Sequence, residues 1–229
     1  MQFPIDVMLD VVCPWCFIGK RRLDAALVEL AALDPELMPV VSWHPFELNP
    51  DLPPGGIDRG FYVESKFGGP ERARQVYERV STAGKSVGID FAFEKISVQP
   101  NTLQAHRLIS WAQRRSDDVS ALVEKLLAAY FLDGRNVGDG ETLAAIAGEA
   151  GLDADAARRM LASDDGAAEV RAMAQRSREL GVSGVPYVIL AETVAVSGAQ
   201  DVPTLLAAIG EARDQLRASA SPGGDESGR

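Results

Sequence analysis

The chain has 229 residues, 46% of them hydrophobic, 24% charged and 7% aromatic, enough to bury a sizeable core without disulfide stapling and unlike a fibrous or wholly disordered protein. With 33 acidic and 23 basic residues the formal charge is −10, which repels phosphate backbones and anionic lipid and argues against nucleic-acid or membrane-surface roles. Low aromatic content argues in the same direction, against stacking platforms for bases.

The amino terminus, MQFPIDVML, lacks a basic region, a long apolar stretch and a small-residue cleavage site, so it does not read as a signal peptide. No apolar run is long enough to span a bilayer. The expectation is a cytoplasmic protein, in a reducing compartment where a cysteine pair is more often catalytic or metal-binding than structural.

FPIDVMLDVV predicts a buried strand that ends directly at Cys13. Pro14 suits the first turn of a helix, where its missing N–H costs nothing, and the helix continues with Leu23, Leu27 and Leu30 on one face before stopping near Asp34-Pro35. LMPVVSWHPFEL reads as a second strand closed by Pro45 and Pro50. Strand, helix and strand in this span form a βαβ unit with parallel strands and a right-handed crossover. Lys20, Arg21 and Arg22 read as the solvated face of the helix rather than an anion site. Trp43 and His44 read as structural residues at the end of the second strand.

From about residue 58 to 180 the pattern predicts helices only. Val76 and Val80 mark one apolar stripe; Ala105, Leu108, Ile109 and Ala112 mark a second, with Trp111 in the core or at a domain interface. Asn101 reads as an N-cap with Gln104 at N3, and His106 as packed on the surface of that helix. Val119 to Phe131 is the strongest helical signal in the chain. Asp139 and Asp153 are expected N-caps, and Gly181 an αL cap. GGIDRG and KFGGP read as flexible connections, because neither follows a strand and opens a helix with phosphate-loop spacing.

VPYVIL and VAVSG, joined by AET, predict a hairpin in which Tyr187 is a strand aromatic beside Pro186. DVPTLLAAIGEAR predicts a closing helix beginning near Asp201 or Pro203, and residues 218–229 a disordered tail.

Cys13 and Cys16 are the only cysteines, and three roles compete for CPWC. A disulfide across two intervening residues closes so short a loop that it stabilises little. A zinc site could draw on Cys13, Cys16, His44 and His106, but those gaps match no compact finger. Dithiol–disulfide exchange fits best. The positive end of a helix stabilises a thiolate at Cys13, and Cys16, one turn further in, can resolve a mixed disulfide formed there. Pro14 and Trp15 tune the pair.

DVVCPWCFIGKRRL, HPFELNP, NTLQAHRLI, AAYFLDGRNVGD and GVSGVPYVIL…VSGAQ, in this order, resemble the DsbA family of thioredoxin-fold oxidoreductases, in its FrnE-like branch. The resemblance implies an α/β, thioredoxin-like fold with a large inserted α-helical domain: residues 1–57 and 181–217 forming the thioredoxin-like domain and 58–180 the insertion. It implies Cys13 as nucleophile, Cys16 as resolving cysteine and Pro186 as a cis-proline, with the Val185 backbone offered to an extended substrate segment. Trp15, where periplasmic relatives commonly carry histidine, and the absence of an export signal weigh against strong oxidation and toward reductase or isomerase activity, with the direction of electron flow, oxidase included, left open. Glutathione-dependent 2-hydroxychromene-2-carboxylate isomerases and kappa-class glutathione transferases belong to the same superfamily, and usually carry serine where this chain has Cys13. They supply the alternative: an isomerase or transferase acting on an aromatic small molecule, with Asn101 and His106 bordering its substrate or glutathione cleft. The expected partners are cysteine-containing proteins or small thiols and disulfides, with no tightly bound cofactor, no metal and glutathione as co-substrate.

Overall fold

A computed structural model describes residues 1–115 and 118–220. The chain opens with strand β1 (Gln2–Leu9), helix α1 (Pro14–Leu33) and strand β2 (Met38–Pro45). β1 and β2 run parallel, from Gln2 opposite Met38 to Leu9 opposite Pro45, as the βαβ reading requires. Far along the chain, β5 (Tyr187–Leu190) and β6 (Val194–Ser197) return to the same sheet, whose order is β2-β1-β5-β6. β5 is antiparallel to β1, and β6 to β5. β1 is therefore flanked on both sides, and Phe3, Ile5, Val7 and Leu9 are all buried. In the three-residue connection, Ala191 and Glu192 lie at φ 47° and 61°, the left-handed central pair of a tight turn closed by Thr193 N donating to Leu190 O at 3.0 Å, here without glycine. Helix α9 (Val202–Ala220) packs on α1 and β6.

Between β2 and β5 lie α2 (Arg59–Phe67), α3 (Pro70–Lys85), α4 (Leu103–Gln113), α5 (Ser120–Phe131), α6 (Gly140–Glu149), α7 (Ala154–Leu161) and α8 (Ala167–Glu179). The α/β sheet with a large helical insertion is thus present. The expectation of helices alone is corrected: β3 (Ile57–Asp58) and β4 (Val98–Gln99) pair antiparallel. GGIDRG is accordingly more than a flexible connection, since it supplies β3 and the Asp58 carboxylate that caps α2 by accepting from Phe61 N at 2.9 Å.

Several local readings hold. Asp139 and Asp153 accept from Thr142 N and Ala156 N at 2.8 and 3.0 Å, Asp201 accepts from Thr204 N at 3.0 Å, and Gly181 sits at φ +90° just past α8. Trp111 is in the core. Others need correction. β1 stops at Leu9, before a turn that leads to Cys13. Val76 is exposed while Val80 is buried. The capping box at α4 does not form, because Gln104 accepts a bond from Arg107 Nη1 and Asn101 Oδ1 accepts from Leu103 N at 3.0 Å. Helix α9 runs on through residues 218–220, and residues 221–229, the rest of the expected tail, lie outside the described residues.

The basic run of α1 is the largest correction. Lys20 is buried, with Nζ 2.7 Å from Asp24 Oδ2 and 3.3 Å from Glu124 Oε2. Arg21 bridges to Glu124 at 2.6 Å, and Arg22 Nη1 donates to Ala199 O at 2.6 Å. Lys20 is thus withdrawn from water, whereas Arg21, with its side chain 38% exposed, and the half-buried Arg22 stay partly solvated while tying α1 to α5 and to the turn after β6. On the outer edge of the sheet, the Gln113 side chain bonds both main-chain groups of Trp43, at 2.6 and 2.9 Å. It occupies an edge that would otherwise be open to pairing.

Arg107 joins α4 to the end of α7. Its buried guanidinium donates to Met160 O at 3.0 Å and to Ser163 O and Asp165 O at 2.7 Å each, satisfying carbonyls that a helix end leaves unpaired. Arg107→Leu strands the Ser163 and Asp165 carbonyls, while Met160 O keeps its bonds from Ser163 N and Oγ, and should lower unfolding free energy by about 3 kcal/mol. Urea denaturation followed by circular dichroism measures it, and an unchanged midpoint would refute the role.

Candidate active site

β1 hands over to α1 through a single turn in which Cys13 N donates to Asp10 O and Cys16 N donates to Cys13 O, both at 3.0 Å. Cys13 is the N-cap residue, in extended conformation, and its side chain makes no capping bond. Pro14 follows in the first turn. Cys13 and Cys16 are both free thiols and both buried, whereas Trp15 between them is 40% exposed. The four residues thus present an apolar lip to solvent, with the sulfurs just beneath it.

The far end of the chain completes the site. The Val185–Pro186 peptide bond is cis, and the Cys13 thiol donates to Val185 O at 3.5 Å. Pro186 lies against α1 at Gly19, where a Cβ would come within 2.8 Å of Pro186 Cγ. Only a residue without a side chain lets the strand approach so closely. A glycine inside an otherwise strong helix was the available signal for this contact, and the motif reading passed over it.

Cys16 is held as a neutral thiol. Its pKa is raised well above the ordinary thiol value, first because burial penalises the thiolate and then through its contact with Cys13, while a main-chain hydrogen bond at Asp10 opposes the rise by more than the Asp10 charge adds to it. Asp10 is fully buried, and its Oδ2 accepts from Leu48 N at 2.7 Å. Its other oxygen lies 3.5 Å from His106 Nε2, and both of those atoms lack a hydrogen-bond partner. Glu47 is buried nearby; burial raises its carboxyl pKa, His106 opposes the rise and Asp10 adds to it. Asp10 and Glu47 were missed from the sequence, although an acid within the apolar run DVMLDVV was a visible oddity.

The structure does not gather the zinc set. His44 Nε2 pairs with Asp6 at 2.7 Å while His106 faces Asp10, and among the described residues no three His, Cys, Asp or Glu side chains are placed to hold a metal ion. A cavity of about 220 Å³ opens beside Cys13, Pro14 and Trp15 toward α2 and α3. A wider depression of about 690 Å³ on α3 shares Tyr77 and Phe93 with it but does not reach the cysteines. Neither Asn101 nor His106 lines the cavity beside Cys13. The Asn101 amide donates to Leu52 O at 2.8 Å, and His106 is buried.

A family model described as a DSBA-like thioredoxin domain matches residues 4–210. The uncharacterized protein YwbO of Bacillus subtilis (strain 168) is 27% identical over 202 residues, covering 85% of this chain and 90% of YwbO. The crystal structure of a probable DsbA oxidoreductase from Streptomyces coelicolor superposes with a TM-score of 0.82 at 28% identity, over 96% of this chain and 92% of that one. The cytosolic disulfide reductase DsbM of Pseudomonas aeruginosa shares the fold, with a TM-score of 0.61 at 17% identity over 94% and 98% of the two chains.

Burial, the leading cause of the Cys16 shift, does not depend on Cys13. In a Cys13→Ser variant the alkylation rate of Cys16 should therefore rise with a midpoint above the ordinary thiol value of about 8.5. A midpoint at or below that value overturns the assignment, whatever the absolute rate.

Proposed function

Because the chain belongs to the family of DSBA-like thioredoxin domains, we propose that it is a thiol–disulfide oxidoreductase working through Cys13 and Cys16. The observation that carries this reading is the placement of two free thiols one helical turn apart: Cys13 at the mouth of α1, and Cys16 buried behind it as a neutral thiol.

In the forward direction the Cys13 thiolate attacks one sulfur of a substrate disulfide, and the other substrate sulfur leaves as a thiolate. Cys16 then gives up its proton and attacks Cys13 Sγ, breaking the mixed disulfide and releasing the second substrate thiolate. The substrate disulfide gains two electrons and the Cys13–Cys16 pair loses them. Trp15 and Pro14 shape the lip over which the substrate sulfur enters. Val185 and Pro186 form the opposite wall and are the main-chain edge we assign to an extended substrate.

We assign the reductase or isomerase direction, with glutathione as the co-substrate that returns the pair to the dithiol in a cytoplasmic setting; this rests on Trp15 between the cysteines and on the thiol poise of such a compartment. Among the described residues no helix is long and apolar enough to cross a membrane.

Cys16→Ala should abolish catalytic turnover in an insulin-reduction assay while leaving a trapped mixed disulfide on Cys13. Turnover retained without Cys16 would shift the assignment to the glutathione-dependent isomerase or transferase chemistry in which Cys13 only positions glutathione. Gly19→Ala tests the opposite wall. Alanine should favour the helix by about 1 kcal/mol, yet its Cβ meets the Pro186 ring, so we expect both activity and thermal midpoint to fall. A gain in stability with full activity would show that the contact is dispensable.

A further inference from the structure

The cavity beside Cys13 has walls of two kinds. One is a set of aromatic rings from the helical insertion. Tyr77 stacks on Phe93 with centroids 4.2 Å apart, Phe67 meets Tyr77 edge-on at 5.7 Å, and Phe93 meets Phe131 edge-on at 6.0 Å. These rings hold one another in fixed orientations, with Phe93 stacked between Tyr77 and Phe91, and line the slot that opens beside Cys13 and Trp15.

The other wall is cationic. Arg59 Nη2 donates to Tyr77 OH at 2.6 Å, Nη1 donates to Gln99 Oε1, and the guanidinium lies 5.1 Å from the centre of the Tyr62 ring. Lys66 Nζ donates to Tyr62 OH at 2.6 Å. Among the described residues neither cation has a carboxylate partner, in contrast to Lys20 and Arg21 on α1, which both meet Glu124. In a chain of net charge −10, two basic side chains lining the same cavity without counter-ions make a local positive site at the edge of an apolar slot.

The geometry points to a small aromatic disulfide carrying an anionic substituent as the preferred substrate: its ring in the slot of Tyr77, Phe93 and Val76, its anion on Arg59 and Lys66, and its sulfur at Cys13. A cavity of about 220 Å³ is smaller than the usual range for drug-sized ligands, roughly 300 Å³ upward, which suits a single substituted ring. This inference rests on the proposed exchange chemistry. Cys13 forms a mixed disulfide with one aryl sulfur and expels the other as an aryl thiolate. Cys16 then loses its proton, closes the Cys13–Cys16 bond and expels the second aryl thiolate, so two electrons pass from protein to substrate.

The test is single-turnover oxidation of the fully reduced protein by three disulfides: dithiobis(nitrobenzoate), aromatic and anionic; dithiodipyridine, aromatic and neutral; and glutathione disulfide, anionic without a ring. Each rate is divided by that of free N-acetylcysteine with the same reagent, which removes the intrinsic leaving-group difference. The anionic aromatic reagent should show the largest acceleration. Lys66→Gln, at an exposed position, and Val76→Glu, which puts an opposing charge at the slot, should each lower the ratio of anionic to neutral aromatic rates by about threefold or more. Arg59→Gln should lower it further. If both exposed-site variants leave the ratio unchanged, or if glutathione disulfide is accelerated most, the pocket assignment is wrong while the exchange chemistry stands. If no reagent oxidises the Cys13–Cys16 pair faster than the free thiol, the underlying exchange reading fails instead.

Discussion

The site depends on the approach of Pro186 to Gly19. The two halves of the thiol site are far apart in the chain: Cys13 and Cys16 belong to the first turn of α1, whereas Val185 and Pro186 arrive only after the whole helical insertion. What places them together is the sheet. β5 pairs with β1 so that Tyr187 lies opposite Met8, and this register delivers the residue before Tyr187 to the end of β1, where the turn into α1 begins. Gly19 then allows the proline ring to settle on α1 without a Cβ in the way. A one-residue slip in that pairing would turn every β5 side chain to the other face and carry the Val185 carbonyl away from Cys13.

The second constraint is electrical. Proteins rarely bury acids without full hydrogen bonding, since an unpaired polar atom in the interior costs free energy. Here Asp10, Glu47 and His106 are all buried behind the cysteine turn, and one oxygen of Asp10 and one nitrogen of His106 go without partners. What opposes ionisation of Cys16 is first its own desolvation and then its contact with Cys13. The reactive turn is therefore asymmetric: one sulfur faces the mouth of the site at a helix N-terminus, and the other is kept protonated behind it. Such a separation lets the first sulfur meet a substrate before the second can close the internal disulfide.

The helical insertion contributes more than a cover. It clamps α1 through Glu124 on α5, closes the sheet edge through Gln113 on α4, and builds the aromatic and cationic walls beside Cys13 from α2 and α3. The thiol chemistry is a property of the β1–α1 junction. What reaches it is decided by the insertion.

These layers differ in how visible they are from the amino-acid order alone. The long elements and their caps were legible there, because hydrophobic period and side-chain-to-backbone bonds are local. The amino-acid order also determined CPWC at a strand-to-helix junction, and the ordered motifs were enough to place the fold family. It did not reveal β3 and β4, since two-residue strands have no period to read. Nor did it reveal that Lys20 is buried, that Asn101 secures the loop at Leu52 instead of lining the cavity beside Cys13, or that Asp10 and His106 face each other. Each of these depends on which distant side chain happens to stand opposite. Only the tertiary structure decided the closeness of Pro186 to Gly19 and the joining of Tyr77, Phe93, Arg59 and Lys66 into one slot, because a contact between segments far apart in the chain leaves no mark on the local pattern of either.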